Sequence, residues 1–69
     1  MEQITARITT LREAAGLSET RLADNSAIPR TTFKRRLVNP ASFTLAEVER
    51  LAEALSTDPG WLWRGDEAA

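Results

Sequence analysis

Cysteine, histidine and tyrosine are all missing from this 69-residue chain. Without cysteine no disulfide framework can support the fold. Without cysteine and histidine nearly every zinc site is excluded as well. An enzyme would find no imidazole, thiol or phenol here, and a general acid–base pair has no evident home. We therefore expect no catalysis, no metal, no cofactor and no small-molecule ligand. Long apolar runs are absent too, since nothing approaches the roughly 18 residues of a membrane span. The N-terminus lacks a signal-peptide pattern, so the expected location is cytoplasmic. Sustained strand alternation, internal repeats and low-complexity stretches are also missing, which leaves an all-α reading.

What remains is an ordinary globular composition, 42% apolar and 28% charged, in a length that fits one domain over residues 1–69. A domain this small buries a limited share of its surface, so Ile, Leu, Val, Phe and Trp must supply the stability. The net charge is −1 but unevenly spread. Residues 1–27 carry three arginines against four acids, and residues 40–69 carry two against six. Residues 28–39 carry Arg30, Lys34, Arg35 and Arg36 with no acid, a local charge of +4. A basic patch on an otherwise acidic chain can steer a polyanion onto one face. Taken alone, such a cluster describes any solvated helix surface, and only its place in the chain gives it more meaning.

Period and punctuation predict five short helices. The first spans about 3–15, with Ile4, Ile8, Leu11 and Ala15 on one stripe. Gly16 follows in a position suited to left-handed backbone. Ser18 is the expected N-cap of a second helix over 19–25, with Leu22 and Ala23 inward. Asn25, Ser26 and Ala27 make a turn, and Ile28 leads into a third helix over 29–37. Pro29 suits the first turn of that helix, and Phe33 and Leu37 face the core. At 100° per residue, Thr31 and Arg35 lie opposite those two, with Thr32 and Lys34 on the flanks. Asn39 and Pro40 stop the helix, and residues 38–43 form a loop. Thr44 and Glu47 form a capping box for a fourth helix over 45–56, whose inner face is Leu45, Val48, Leu51, Ala52 and Leu55. Glu47, Glu49, Glu53 and Asp58 read as a solvated acidic surface rather than a metal site. Asp58 caps a fifth helix over 59–64, with Pro59 just inside it. Trp61 and Leu62 turn to the core, while Trp63, two residues on from Trp61, points elsewhere. Gly65 ends the helix, and the tail 66–69 is expected to fray.

Two helices of seven to nine residues joined by a short turn, the second basic outside and apolar inside, have the proportions of a DNA-binding helix-turn-helix. The stretches Leu11-Arg12-Glu13-Ala14-Ala15-Gly16-Leu17-Ser18, Leu22-Ala23, Ile28-Pro29-Arg30-Thr31-Thr32-Phe33, and Phe43-Thr44-Leu45 through Leu51-Ala52-Glu53-Ala54-Leu55 to Trp61-Leu62 carry a closer likeness. In their order and spacing the chain resembles the Cro/CI-type (XRE-like) helix-turn-helix family of phage and bacterial transcriptional regulators, over residues 4 to 65. The resemblance implies a compact five-helix, lambda-repressor-like domain and sequence-specific binding to a double-stranded DNA operator. It also implies a bacterial cell or phage-infected host as the setting.

Carried over residue by residue, the resemblance places base contacts at Arg30, Thr31, Lys34 and Arg35. It places phosphate contacts at Ser18, Thr20, Thr32, Asn39 and Ser42, with Arg36 adding charge at the flank and Arg12 either doing the same or pairing with an acid such as Glu47. An Arg can bond guanine N7 and O6 together, and Thr can meet a thymine methyl or a phosphate. It also implies a homodimer, with Trp61, Trp63 and Arg64 as the candidate seam. Three positions depart from the family pattern. Ala27 stands where the turn usually has Gly, at a cost of about 1 kcal/mol or more if the backbone is left-handed. Arg36 stands where an apolar residue is common, so Leu37 is expected to take over its packing. Glu19 stands where Gln is favoured and would repel a phosphate. A second reading uses the same scaffold as a protein-interaction module, antitoxin-like or anti-repressor in kind, and the near-neutral net charge and Glu19 support it.

Overall fold

The structure is a computed structural model that describes residues 3–64. Among these residues the fold is all-helical, with α1 (Gln3–Ala14), α2 (Glu19–Asn25), α3 (Arg30–Val38), α4 (Leu45–Ala54) and α5 (Pro59–Arg64), and a 3₁₀ turn at Pro40–Ser42 between α3 and α4. All five expected helices are present, with every end at the expected residue or within two of it. Gly65 and the tail 66–69 lie outside the described residues.

Local chemistry sets the boundaries. The Ser18 hydroxyl accepts from the Arg21 N–H at 3.0 Å and starts α2. At α4 the Thr44 hydroxyl accepts from the Glu47 N–H at 3.1 Å, and the Glu47 carboxylate accepts from the Thr44 N–H at 3.0 Å, a complete capping box. Asp58 accepts from the Trp61 N–H at 2.8 Å and opens α5. Gly16 ends the first segment with φ +73°. Pro29 lies one position earlier than expected: it is the N-cap of α3, with ψ 140°, rather than the first helical residue.

One core gathers all five helices. Ile4 and Ile8 come from α1, Leu22 and Ala23 from α2, Ile28 from the turn and Phe33 from α3. Phe43, Val48, Leu51, Ala52, Leu55 and Leu62 complete it, with Leu11, Leu17, Leu37 and Trp61 packed around the edge. Helix α4 lies centrally, touching both α2 and α5, while α1 packs on α5 and α2 on α3.

Three expectations about inward faces are corrected. Leu45 is 72% exposed. It is the first residue of α4, and helical side chains lean toward the N-terminus, so it projects past the end of the bundle while Phe43 fills the core beside it. Ala15 is exposed because α1 stops at Ala14, before the last position of its stripe. Glu47 is only 8% exposed and belongs to the interior rather than to an acidic surface. Glu49, Glu53 and Asp58 are solvated as expected.

Candidate nucleic-acid interface

Helix α2, the turn 26–29 and α3 form one unit, held from both sides. The Ser26 N–H donates to the carbonyls of Leu22 and Ala23 at 3.0 and 3.2 Å, and the Ile28 N–H reaches Ala23 at 3.0 Å. Between them Ala27 takes φ +58°, the left-handed backbone anticipated for this position. From α4, the Arg50 Nε donates to the Ser26 carbonyl at 2.9 Å and ties the turn to the core. From α1, the Thr5 hydroxyl donates to the Leu37 carbonyl at 3.1 Å near the C-terminal end of α3. The unit is therefore fixed at its turn and at its far end.

The outer surface of α3 follows from helical phase. Phe33 is buried and Leu37 half-buried, so Thr31, Lys34 and Arg35 stand exposed on the opposite side, with Thr32 half-buried at the flank. Lys34 and Arg35 engage in no ion pair or side-chain hydrogen bond among the described residues, so their charges face solvent.

The other two cations of the segment are engaged. Arg30 donates from Nε to Asp24 Oδ1 at 3.3 Å and from Nη2 to Oδ2 at 3.0 Å, bridging α3 to α2. The hydrogen bond from Arg30 holds the Asp24 carboxyl below its ordinary range, and the same bond raises the Arg30 guanidinium. Arg36 donates from Nε and Nη2 to the two oxygens of Glu47 at 2.9 and 3.1 Å. Its bonds lower the Glu47 carboxyl, aided by those from Thr44. The two pairs differ in setting. The Arg30 and Asp24 side chains are 65% and 49% exposed, whereas those of Arg36 and Glu47 are 22% and 10% exposed. Arg36 is therefore a structural clamp between α3 and α4 before it can be a flanking charge. The segment's formal +4 falls to an effective +2 once Asp24 and Glu47 are counted.

The expected phosphate-contact positions are spread more widely. Ser18, Thr20 and Asn39 are exposed. The Ser18 oxygen is used as an acceptor in its cap, which leaves its proton free to donate. The Ser42 hydroxyl donates to the Asn39 carbonyl at 2.7 Å in an exposed bond that closes the 3₁₀ turn. Glu19 is exposed at the first turn of α2. Arg12 donates to the Leu17 carbonyl at 2.8 Å and approaches Glu13 at 3.8 Å. Arg12 thus has an acid partner beside it in α1 rather than Glu47, whose carboxylate is bonded by Arg36.

At α5 the two tryptophans diverge. Trp61 packs on the core rim with the Arg7 guanidinium 5.7 Å from its ring centroid. Arg7 also donates to the carbonyls of Leu62 and Trp63, both at 2.9 Å, which caps the helix end. Trp63 is 44% exposed and lies between two open depressions. One, about 560 Å³, includes Thr5, Val38, Pro40 and Arg64; the other, about 240 Å³, is lined by Phe43, Leu45 and Val48. With Val38 at 85% and Leu45 at 72% exposure, Trp63 joins an apolar surface that the sequence reading located only in part. The roles of Asp24 and Arg50 left no signal in the sequence, since each depends on how two helices meet. No group of acidic residues suited to a metal ion occurs among the described residues, and no described helix is long and apolar enough to cross a membrane.

Comparison with models of protein families, with characterised proteins and with solved structures finds no match to this chain.

Proposed function

We propose that the chain is a sequence-specific double-stranded-DNA-binding protein, a small transcriptional regulator of the Cro/CI helix-turn-helix type. In this reading α3 lies in the major groove, Thr31, Lys34 and Arg35 reach base edges, and Ser18, Thr20 and Asn39 meet phosphates. The observation that carries it is the uncovered cationic face of α3, held rigidly opposite Phe33. Bound protein then blocks or redirects transcription. Two copies would read the halves of a symmetric operator, about 34 Å apart, and meet through the Trp63 surface.

The test is binding to duplexes selected from a random pool, repeated across salt. DNA binding weakens steeply as salt rises. Lys34→Ala is expected to relax preference at the base pair it reaches and, by removing a charge from the docked face, to make the slope of log affinity against log salt shallower. Arg35→Ala is expected to relax preference at one base pair by about tenfold, the scale of a lost bidentate contact. Unchanged selection and unchanged slope in both variants would refute the interface.

A second reading, binding of a protein partner, is favoured by the Val38–Leu45–Trp63 surface and by the two acids that offset half of the cationic segment. A hydrophobic protein interface need not weaken with salt, so the same titration separates the two.

A further inference from the structure

The Arg30–Asp24 pair has a geometry that stability does not account for. Exposed ion pairs contribute little to folding, and this one is well exposed on both sides. Yet its two hydrogen bonds are parallel and bridge the turn between α2 and α3. Asp24 uses one edge of the guanidinium, formed by Nε and Nη2. The end edge, formed by Nη1 and the second Nη2 proton, has no partner among the described residues. That free edge has the two-donor spacing that matches guanine O6 and N7. An unpaired Arg must surrender the freedom of several side-chain torsions on docking, whereas one already held by a carboxylate arrives oriented.

Resting on the DNA-binding reading above, we propose that Asp24 is a positioning residue for specificity, which braces Arg30 so that its end edge reads a guanine. Arg30 lies four residues before Lys34 and so shares its side of α3, which places this edge beside the uncovered cationic face. The carboxylate has a second effect of the same sign. It repels phosphates, so it disfavours the non-specific mode in which Arg30 would collapse onto the backbone. Glu19 and Arg21 share the outside of α2 with Asp24, but no hydrogen bond links either of them to it.

The experiment compares the parent protein, Asp24→Asn, Arg30→Ala and the double variant by site selection from random duplexes, with melting temperature as a control. Arg30→Ala should flatten preference at one G·C pair. Asp24→Asn should lower preference at that same pair by about tenfold, leave the other positions intact and leave affinity for unrelated duplex equal or higher. The double variant should lose no more than Arg30→Ala alone. Melting temperature should hardly move. A parent that selects a site while Asp24→Asn keeps the full preference at the Arg30-dependent pair overturns this inference and leaves DNA binding standing. So does an Arg30→Ala variant that flattens no position, or an Asp24→Asn variant whose losses follow a fall in stability. A parent that selects no duplex at all overturns both.

Discussion

Ser26 and Ala27 sit side by side in the turn between α2 and α3, and each carries a cost in the folded state. The Ser26 hydroxyl is buried in a residue 1% exposed and has no hydrogen-bond partner among the described residues. Burying an uncompensated hydroxyl costs about 1–3 kcal/mol by protein mutational measures. Ser26→Ala removes that oxygen and keeps the backbone bonds to Arg50, Leu22 and Ala23, so stability should rise by about 1 kcal/mol. Ala27 has φ +58° and an exposed methyl. Left-handed backbone costs a non-glycine residue about 1–2 kcal/mol, partly offset by the larger unfolded-state entropy of glycine. Ala27→Gly should therefore stabilise by roughly 0.5–1 kcal/mol. Urea titration of the two variants checks both, and a loss of stability in either would contradict the account of that residue.

Among the elements, α3 and α4 are joined by the most heavily used carboxylate among the described residues. Glu47 accepts from Arg36 and from the Thr44 N–H together. Its pKa is depressed in the folded state, chiefly by the Arg36 bonds, from an ordinary value of 4.5. The unfolded chain thus takes up this proton more readily. The stabilisation is complete above about pH 4.5 and is lost as pH falls through the lower folded value. Melting temperature should drop on acidification in that range, and Glu47→Gln should make the drop shallower. Glu47→Ala at neutral pH removes both the cap and the clamp, at about 2 kcal/mol or on the order of 10 °C. A variant that melts like the parent would remove Glu47 from its place in the fold.

The same elements mark how far the sequence could be read. Caps at Ser18, Thr44 and Asp58 were legible because they act over three residues. The inward and outward sides of α3 were legible because they follow from one helical period. Glu47 was legible as a cap but not as a clamp, since its partner is eleven positions away and depends on how α3 crosses α4. The bond from Arg50 to Ser26 spans twenty-four positions and left no trace in spacing. Leu45 misled because helical period gives the side a residue faces and not whether any element lies beyond it. The candidate interface was thus foreseen as a helix face, while the acids that trim its charge were not.

At the scale of the whole molecule, the accessible surface is 4275 Å². A stable interface hides about 800 Å² per partner, roughly a fifth of that surface, so a second copy would need much of one face. The Val38–Leu45–Trp63 surface is the apolar candidate, and Trp63 is its centre. Aromatic anchors dominate such contacts. Trp63→Ala should weaken self-association at least tenfold with little change in secondary structure. Sedimentation of the parent as a monomer at high concentration would end the idea of a homodimer through α5.

The grip of Arg7 on the carbonyls of Leu62 and Trp63 joins positions 55 and 56 residues apart, and α5 is the chief neighbour of α1. During synthesis, α1 is consequently made well before the helix that seats it. Until α5 is synthesised, the stripe bearing Ile4 and Ile8 lacks the helix that closes over it, and the newborn chain offers that apolar strip to whatever chaperone or neighbour is at hand.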